Sequence, residues 1–331
     1  MEDQKKLLSI KKLKQYFPVG KKKPGKEPEY VRAYDDISLD IYEGETFGLV
    51  GESGCGKSTF GRTILQLYKQ TAGETIYYGR KEEGENLAQL PAEEMRKLRQ
   101  DLQLIFQDPY SSLNPRMTVG QIIEEGLLAH GIYKRSDKNL EPYILEIMKK
   151  CGLAPYFINR YPHQFSGGQR QRIGIARSLA VKPKFVVCDE AVSALDVSIQ
   201  SQIINLLLDL KEQEKLTYLF ISHDLSVIKY ISDRVGVMYL GNMMEISPTE
   251  KLFSHPCHPY TEALLSAIPT TEMKQKEQII LEGDIPSPIH PPMGCKFHTR
   301  CKYCTEICKE KKPQMQEVEP GHFVACHHTL T

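Results

Sequence analysis

A glycine-rich stretch near residue 50 places the strongest constraint on how this chain folds. Residues 51–58 have the sequence Gly-Glu-Ser-Gly-Cys-Gly-Lys-Ser and fit G-x-x-x-x-G-K-[ST] at every defined position. An apolar run at 46–50 precedes the stretch, and a helical pattern over 60–67 follows it. Strand, glycine-rich turn and helix in this order predict a loop whose backbone N–H groups bind phosphate, aided by the helix N-terminus.

The residues of this loop have separate predicted roles. Lys57 would reach the β- and γ-phosphates of a nucleotide, and the Ser58 hydroxyl would be a ligand of Mg²⁺. The loop therefore predicts a site for ATP and Mg²⁺. The predicted ATP-binding residues of the loop are Gly51, Glu52, Ser53, Gly54, Cys55, Gly56, Lys57, Ser58 and Thr59.

A second apolar run ends in two acidic residues. Residues 185–190 have the sequence Phe-Val-Val-Cys-Asp-Glu, the pattern of a buried strand with carboxylates at its end. Asp189 would hold Mg²⁺ directly or through water, and Glu190 would be the general base that polarises the attacking water. Adjacent acids can take different tasks here because consecutive strand residues point to opposite sides.

The order of apolar segments predicts an α/β fold. Runs at 185–188 and 217–222 are short enough for buried parallel strands, and a helical pattern over 199–210 separates them. Such alternation is typical of a parallel sheet with helices. Helical periodicity broken by proline and glycine continues through residues 110–165, whereas the prolines between 255 and 292 predict a linker or irregular extension.

Composition and charge exclude several classes of protein. Lys+Arg total 43 and Asp+Glu total 42, a balance that excludes a generally basic nucleic-acid-binding protein. We interpret the lysine-rich residues 21–26 as a solvated hairpin tip rather than a phospholipid contact. The longest stretch free of charged residues, 197–208, is too short for a spanning helix of about 20 residues. The first residues lack an apolar signal-peptide core, so we expect a cytosolic location.

Further short motifs follow one another in a characteristic order. Gln107 stands in Ile-Phe-Gln-Asp-Pro, residues 165–171 are Phe-Ser-Gly-Gly-Gln-Arg-Gln, residues 193–196 are Ser-Ala-Leu-Asp, and His223 stands in Ile-Ser-His-Asp. These motifs resemble the Q-loop, signature motif, D-loop and switch histidine of the nucleotide-binding subunits of ABC transporters. Phe165 stands where leucine is usual in that signature. The resemblance covers nearly the whole chain.

The resemblance implies an α/β P-loop ABC ATPase fold with an antiparallel β subdomain near the N-terminus. A helical subdomain would occupy about residues 108–165. We expect the nucleotide-binding domain to span residues 1–253 and a small cysteine-bearing extension to span residues 254–331.

The resemblance also implies roles for the motif residues. His223 would contact the γ-phosphate and orient the water with Glu190, and Gln107 would be a Mg²⁺ ligand together with Ser58 and Asp189. Two subunits would pack head to tail, each closing the other's nucleotide, because small residues at a helix N-terminus form a second anion site. The residues that would bind the partner's ATP are Ser166, Gly167, Gly168 and Gln169, and Asp196 would couple the two sites.

An aromatic residue ahead of the phosphate loop usually stacks on adenine in this family. Residues 13–17 are the candidate segment, and we favour Phe17 by position, with Tyr16 as the competitor. Either ring has an ordinary alternative, which is burial in the core.

Three segments resemble the oligopeptide/dipeptide importer branch of the family. They are residues 16–19, 107–116 and 258–265. That branch has two ATPase subunits, and the segment 107–116 resembles the second subunit more than the first. The resemblance implies an ATP-hydrolysing subunit that energises peptide import from the cytoplasmic face of the cell membrane, as a peripheral protein. Its partners would be a homologous ATPase subunit in a heterodimer, two membrane permease subunits and an extracytoplasmic substrate-binding protein, with no nucleic acid. The alternatives are an importer of nickel or another small solute, a soluble ABC ATPase not coupled to transport, and a regulatory ATP-binding module without turnover.

Five of the nine cysteines lie close to the C-terminus. A reducing compartment favours a metal site over disulfides for such a cluster, but the spacing C-x5-C-x2-C-x3-C-x17-C fits no standard two-knuckle zinc pattern. The segment resembles the C-terminal extension of the importer branch, and this implies a [4Fe–4S] cluster with Cys304 as the surplus thiol. A Zn²⁺ site that recruits a histidine and a set of free structural thiols remain alternatives. The implied cluster ligands are Cys295, Cys301, Cys308 and Cys326.

Overall fold

The computed structural model describes residues 4–20, 28–268 and 278–330. The chain divides into two compact units. The terminal unit comprises Met1–Ala88 and Ser222–Thr331, and the middle unit comprises Gln89–Ile221. The basic segment 21–26, predicted as a hairpin tip, lies outside the described residues. The expected domain division at residue 253 stays a prediction.

Strands and helices alternate along the described chain. The strands are β1 (Lys6–Pro18), β2 (Tyr30–Tyr42), β3 (Thr46–Val50), β4 (Ala72–Tyr77), β5 (Glu85–Asn86), β6 (Leu102–Ile105), β7 (Phe185–Asp189), β8 (Thr217–Ile221), β9 (Arg234–Tyr239), β10 (Asn242–Pro248), β11 (Gln316–Glu319) and β12 (His322–Val324). The helices are α1 (Lys57–Ile64), α2 (Ala92–Leu98), α3 (Val119–Ala129), α4 (Leu140–Lys150), α5 (Gly167–Ala180), α6 (Val197–Glu214), α7 (Leu225–Ile231), α8 (Thr249–Ser254), α9 (Pro259–Ser266) and α10 (Glu306–Glu310).

The terminal unit contains an antiparallel sheet formed largely by the N-terminal strands. Its described strands run in the order β2-β1-β4-β5. On β1, the four consecutive residues 7–10 are buried, so both faces of this part of the strand are covered. The predicted antiparallel β subdomain is confirmed.

A second set of strands in the terminal unit holds the phosphate loop. β3 is parallel to β9, β9 is antiparallel to β10, and β10 is antiparallel to β12. β12 in turn pairs with β11. The cysteine-bearing tail therefore adds strands to the sheet from which the phosphate loop emerges.

The middle unit is built on three parallel strands among the residues the structure describes. β6 pairs with β7 and β7 with β8, all in parallel. Every residue of β7 and β8 is buried, as expected for parallel strands covered on both faces. Helix α5 packs on α3 and α4. The predicted helix over 199–210 is confirmed as the longer α6.

The prediction of an irregular chain over 255–292 is wrong for one segment. Helix α9 occupies Pro259–Ser266. Pro259 is tolerated because the first helical position has no intrahelical N–H partner, and the Nδ1 atom of His258 caps the helix by accepting the Tyr260 N–H at 3.0 Å. Residues 278–292 contain no helix or strand. In the described parts of the chain, no helix has the length and apolar character required to cross a membrane.

Candidate functional site

The phosphate loop of the terminal unit connects β3 to α1. Three of its glycines have positive φ, and the two that are also closely packed are Gly51, with a φ of 150°, and Gly56, with a φ of 105°. A Cβ atom on Gly51 would collide with the carbonyl oxygen of Met238, and one on Gly56 would collide with that of Ala33. The motif glycines therefore serve close backbone packing as well as phosphate access.

Lys57 lies at the first position of α1 with its amino group inside the loop. Its Nζ atom donates to the carbonyl oxygens of Gly51 at 2.7 Å and Glu52 at 3.0 Å, and the residue is only 4% exposed. A buried ammonium beside the N–H groups of a helix N-terminus provides positive potential for phosphate oxygens. Ser58 and Thr59 follow in the first helical turn.

The middle unit brings the predicted site residues Gln107 and Glu190 into contact. Asp189 is the buried last residue of β7, and Glu190 follows it with a φ of 48° and its N–H bonded to the Ile221 carbonyl oxygen at 3.0 Å. The Nε2 atom of Gln107 donates to Glu190 Oε2 at 2.8 Å. Neither the left-handed backbone of Glu190 nor this contact could be read from the sequence.

The signature residues form the N-terminus of α5. Ser166 Oγ accepts the Gln169 N–H at 3.4 Å, and Gln169 Oε1 accepts the Ser166 N–H at 3.1 Å, which is a reciprocal capping box. A Cβ on Gly168 would collide with the Ile199 side chain, and Gly167 lies beside it at the helix start. The binding of the partner's nucleotide by these residues stays a prediction. The exposed Asp196 lies at the start of α6.

The residues predicted to contact the γ-phosphate and adenine lie in the terminal unit. His223 is exposed and follows β8 in the chain. Phe17 is partly buried in β1 and packs edge-on against Tyr68 at 5.5 Å. The Tyr16 hydroxyl instead donates a hydrogen bond to Asp35 Oδ1 at 2.8 Å. Burial and this hydrogen bond raise the pKa of Tyr16.

Four of the five tail cysteines line one cavity in the terminal unit. They are the four predicted cluster ligands, Cys295, Cys301, Cys308 and Cys326. Cys304 does not line this cavity, and its thiol donates to the adjacent Thr305 carbonyl oxygen. Four histidines also line the cavity, namely His258, His298, His327 and His328.

Thiols in this cavity have raised pKa values. Burial, with a smaller contribution from the neighbouring thiols, raises the pKa of Cys295 to about 12 and that of Cys301 to about 11. Thiolates, not thiols, ligate metals, so a positively charged centre would reverse these shifts.

Each of the four imidazoles has a partner on one ring nitrogen. His258 Nδ1 accepts the Tyr260 N–H, and His298 Nδ1 lies 2.8 Å from the Cys295 carbonyl oxygen. His327 Nε2 meets the Lys311 carbonyl oxygen, and His328 Nε2 meets the Thr305 hydroxyl.

A buried polar cluster next to this tail was missed by sequence reasoning. Glu245 on β10 is fully buried and accepts the backbone N–H groups of Cys257 at 2.8 Å and His258 at 3.0 Å. Its Oε1 atom also lies 2.7 Å from Nε2 of His322 on β12. No motif marks these residues, and the pairing of β12 with β10 brings His322 to Glu245.

Known proteins similar to this chain identify its family. The chain is 50% identical over 329 residues to the oligopeptide transport ATP-binding protein AppF of Bacillus subtilis, covering 98% of both chains. Residues 34–193 match the ABC transporter family. The chain belongs to the ABC transporter family. Within it, residues 244–308 match the oligopeptide/dipeptide transporter C-terminal region, a segment that contains Cys295, Cys301 and Cys308.

Other members of the ABC transporter family are also similar to this chain. The oligopeptide transport ATP-binding protein OppF of Salmonella typhimurium is 48% identical, over 98% of this chain and 97% of its own. A solved dimeric structure of the ATP-binding cassette MJ0796 in a post-hydrolysis state, bound to ADP and Pi, aligns with a TM-score of 0.63 at 30% identity. It covers 73% of this chain and 99% of that chain. The expected ABC ATPase fold is confirmed.

Proposed function

We propose that this ABC transporter ATPase energises the import of peptides across the cytoplasmic membrane through separate permease subunits. The similarity to AppF and OppF over nearly the full length of each chain carries this proposal. The match of residues 244–308 to the oligopeptide/dipeptide C-terminal region supports peptide over nickel or another small solute. No comparison favours a soluble ABC ATPase outside transport.

The proposed reaction is in-line attack of water on the γ-phosphorus of ATP. The bond to the β–γ bridging oxygen breaks, ADP and phosphate form, and Glu190 accepts the proton of the attacking water. The hydrogen bond from Gln107 fixes one carboxylate oxygen of Glu190. The other residues in this proposal are Lys57 on the phosphates, Ser58, Asp189 and Gln107 on Mg²⁺, His223 on the γ-phosphate, and Phe17 on adenine.

The site is proposed to be completed by a second ATPase subunit. Ser166, Gly167, Gly168 and Gln169 would bind the partner's ATP, and Asp196 would couple the two sites. In this structure the side chains of Ser166 and Gln169 cap each other's N–H groups. The proposed partner is a different, homologous ATPase, with two permease subunits, an extracytoplasmic binding protein and a peripheral location at the cytoplasmic face.

The four clustered thiols are proposed to hold a [4Fe–4S] cluster with a structural role. A short, polar extension has little apolar area with which to stabilise itself, and four thiolates around one cavity suit such a cluster. Anaerobically purified protein should be brown, absorbing near roughly 400 nm. Cys304→Ser should keep the colour and Cys301→Ser should lose it. Colourless protein with stoichiometric zinc and no iron would instead support a zinc site.

The function is tested by isolating the full complex from the native membrane through a tag on this chain. We expect membrane permease subunits to co-purify, and ATP hydrolysis by the complex to rise when peptide and the binding protein are added. Isolation with ribosomes or DNA and without membrane proteins would contradict the proposal.

A further inference from the structure

The cysteine-bearing tail contacts the phosphate loop directly through an ion pair. Arg300 Nη1 donates to Oε1 of Glu52 at 3.0 Å and to Oε2 at 2.8 Å. The Arg300 side chain is 8% exposed and that of Glu52 is 22% exposed. Solvent screens such a sheltered pair less than it screens a surface pair.

The backbone of Glu52 is also held, by a residue of α9. Its N–H donates to the hydroxyl of the buried Tyr260 at 3.0 Å. Tyr260 packs against Phe297 with ring centroids 5.2 Å apart. The Glu52 carbonyl oxygen accepts a hydrogen bond from Lys57 Nζ at 3.0 Å. A continuous path of contacts therefore leads from the tail to the lysine that would bind phosphate.

The turn that carries Arg300 is bounded by two of the clustered thiols. A short 3₁₀ helix spans His298–Arg300, between Cys295 and Cys301. Cys301 follows Arg300 directly, and the Cys295 N–H donates to the Cys308 carbonyl oxygen at 2.8 Å. A metal centre bound to these thiols would fix both ends of the turn and so restrict where the guanidinium can lie.

We propose that Arg300 is a positioning residue for the phosphate loop, and that it couples nucleotide binding to occupancy of the four-thiol site. The coupling half rests on the metal centre named under the proposed function. Because binding couplings are reciprocal, an occupied thiol site raises nucleotide affinity, and bound nucleotide strengthens retention of the metal.

The first arm of the test measures positioning. MgADP affinity is measured by calorimetry on the full-length, anaerobically purified chain. Arg300→Gln and Glu52→Gln should each weaken binding by about tenfold, within the usual range of such couplings, and the double variant should be no weaker than either. Lys302→Gln is the matched control, because Lys302 forms a more exposed pair with Glu262 at 3.4 Å, and it should bind like the wild type.

The second arm measures coupling. After chelation and desalting, the wild type should bind MgADP about as weakly as Arg300→Gln, whereas metal removal should leave the affinity of Arg300→Gln unchanged. Bound MgADP should slow metal release from the wild type and not from the variant. Iron and zinc contents, measured separately, report whether the thiol site holds a metal at all.

Each outcome decides one half of the proposal. Wild-type affinity in Arg300→Gln overturns the positioning role. The coupling is overturned if metal removal has equal effects on both proteins. It is also overturned if the wild type holds no metal. That second result would contradict the proposed metal centre as well, but it would leave the first arm intact. If Arg300→Gln fails to fold, as judged by circular dichroism, Arg300→Lys replaces it. Lysine keeps the charge and loses the guanidinium, whose Nη1 atom meets both Glu52 oxygens.

Discussion

The side-chain amide of Gln107 donates a 2.8 Å hydrogen bond to the carboxylate of Glu190. The two residues are 83 positions apart, yet they follow the neighbouring parallel strands β6 and β7. Because the carboxyl ends of parallel strands meet at one edge of a sheet, such polar residues come together there. The amide orients one oxygen of the carboxylate that we propose as the general base.

Replacing the proposed base should separate binding from chemistry. We expect Glu190→Gln to lower ATP turnover at least a hundredfold, because general-base catalysis contributes about 10²–10⁴, while MgATP affinity stays unchanged. Phosphate release by the assembled complex and calorimetric binding measure the two quantities. Turnover near the wild-type rate would remove Glu190 from this role.

Replacing the lysine of the phosphate loop, Lys57, should lower nucleotide affinity itself. Lys57→Ala removes a buried ammonium that donates to two loop carbonyl oxygens and would contact phosphate. We expect a large loss of MgATP affinity in equilibrium binding. Lys69→Ala is the control, since Lys69 is exposed beyond the end of α1, and it should bind normally. Equal affinities of the two variants would contradict the role of Lys57.

The sequence predicted those parts of the site that depend on local patterns. The phosphate loop and the strand ending at Asp189 are each set by a short run of residues. The Ser166–Gln169 capping box was also readable, as serine followed three residues later by glutamine.

Contacts between distant segments could not be predicted in the same way. Arg300 and Glu52 are 248 residues apart, and Glu245 meets His322 only through strand pairing. Pairing partners in a sheet are set by the whole fold and leave no local periodicity. Helix α9 was missed because its prolines were interpreted as breakers, although a proline at the first helical position supports a helix start.

The buried Glu245 cluster should matter for stability. Glu245→Ala would remove the acceptor of two backbone N–H groups and the partner of His322, leaving buried polar groups unsatisfied. We expect the free energy of unfolding in urea to fall by about 3–5 kcal/mol. Glu319→Ala, which removes an exposed pair with Lys251, should change it little. Comparable losses in both variants would refute a special role for Glu245.

His258 should make the fold sensitive to acid. Burial lowers its pKa from 6.5 to about 4, although Glu245 opposes the shift. Between these values the unfolded chain binds the proton and the folded chain does not, so stability is lost as pH falls from 6.5 toward 4. His258→Asn keeps a helix-capping acceptor and should flatten this part of the curve of melting temperature against pH. Parallel curves for variant and wild type would show that His258 does not titrate this way.

Uptake of a labelled oligopeptide tests the central claim most directly. The measurement uses cells whose chromosomal copy is either the wild type or Glu190→Gln, with expression of the chain checked by immunoblotting. The account predicts energy-dependent accumulation of peptide with the wild type and its loss with Glu190→Gln. Equal accumulation in the two strains, in cells that lack other peptide importers, would contradict it.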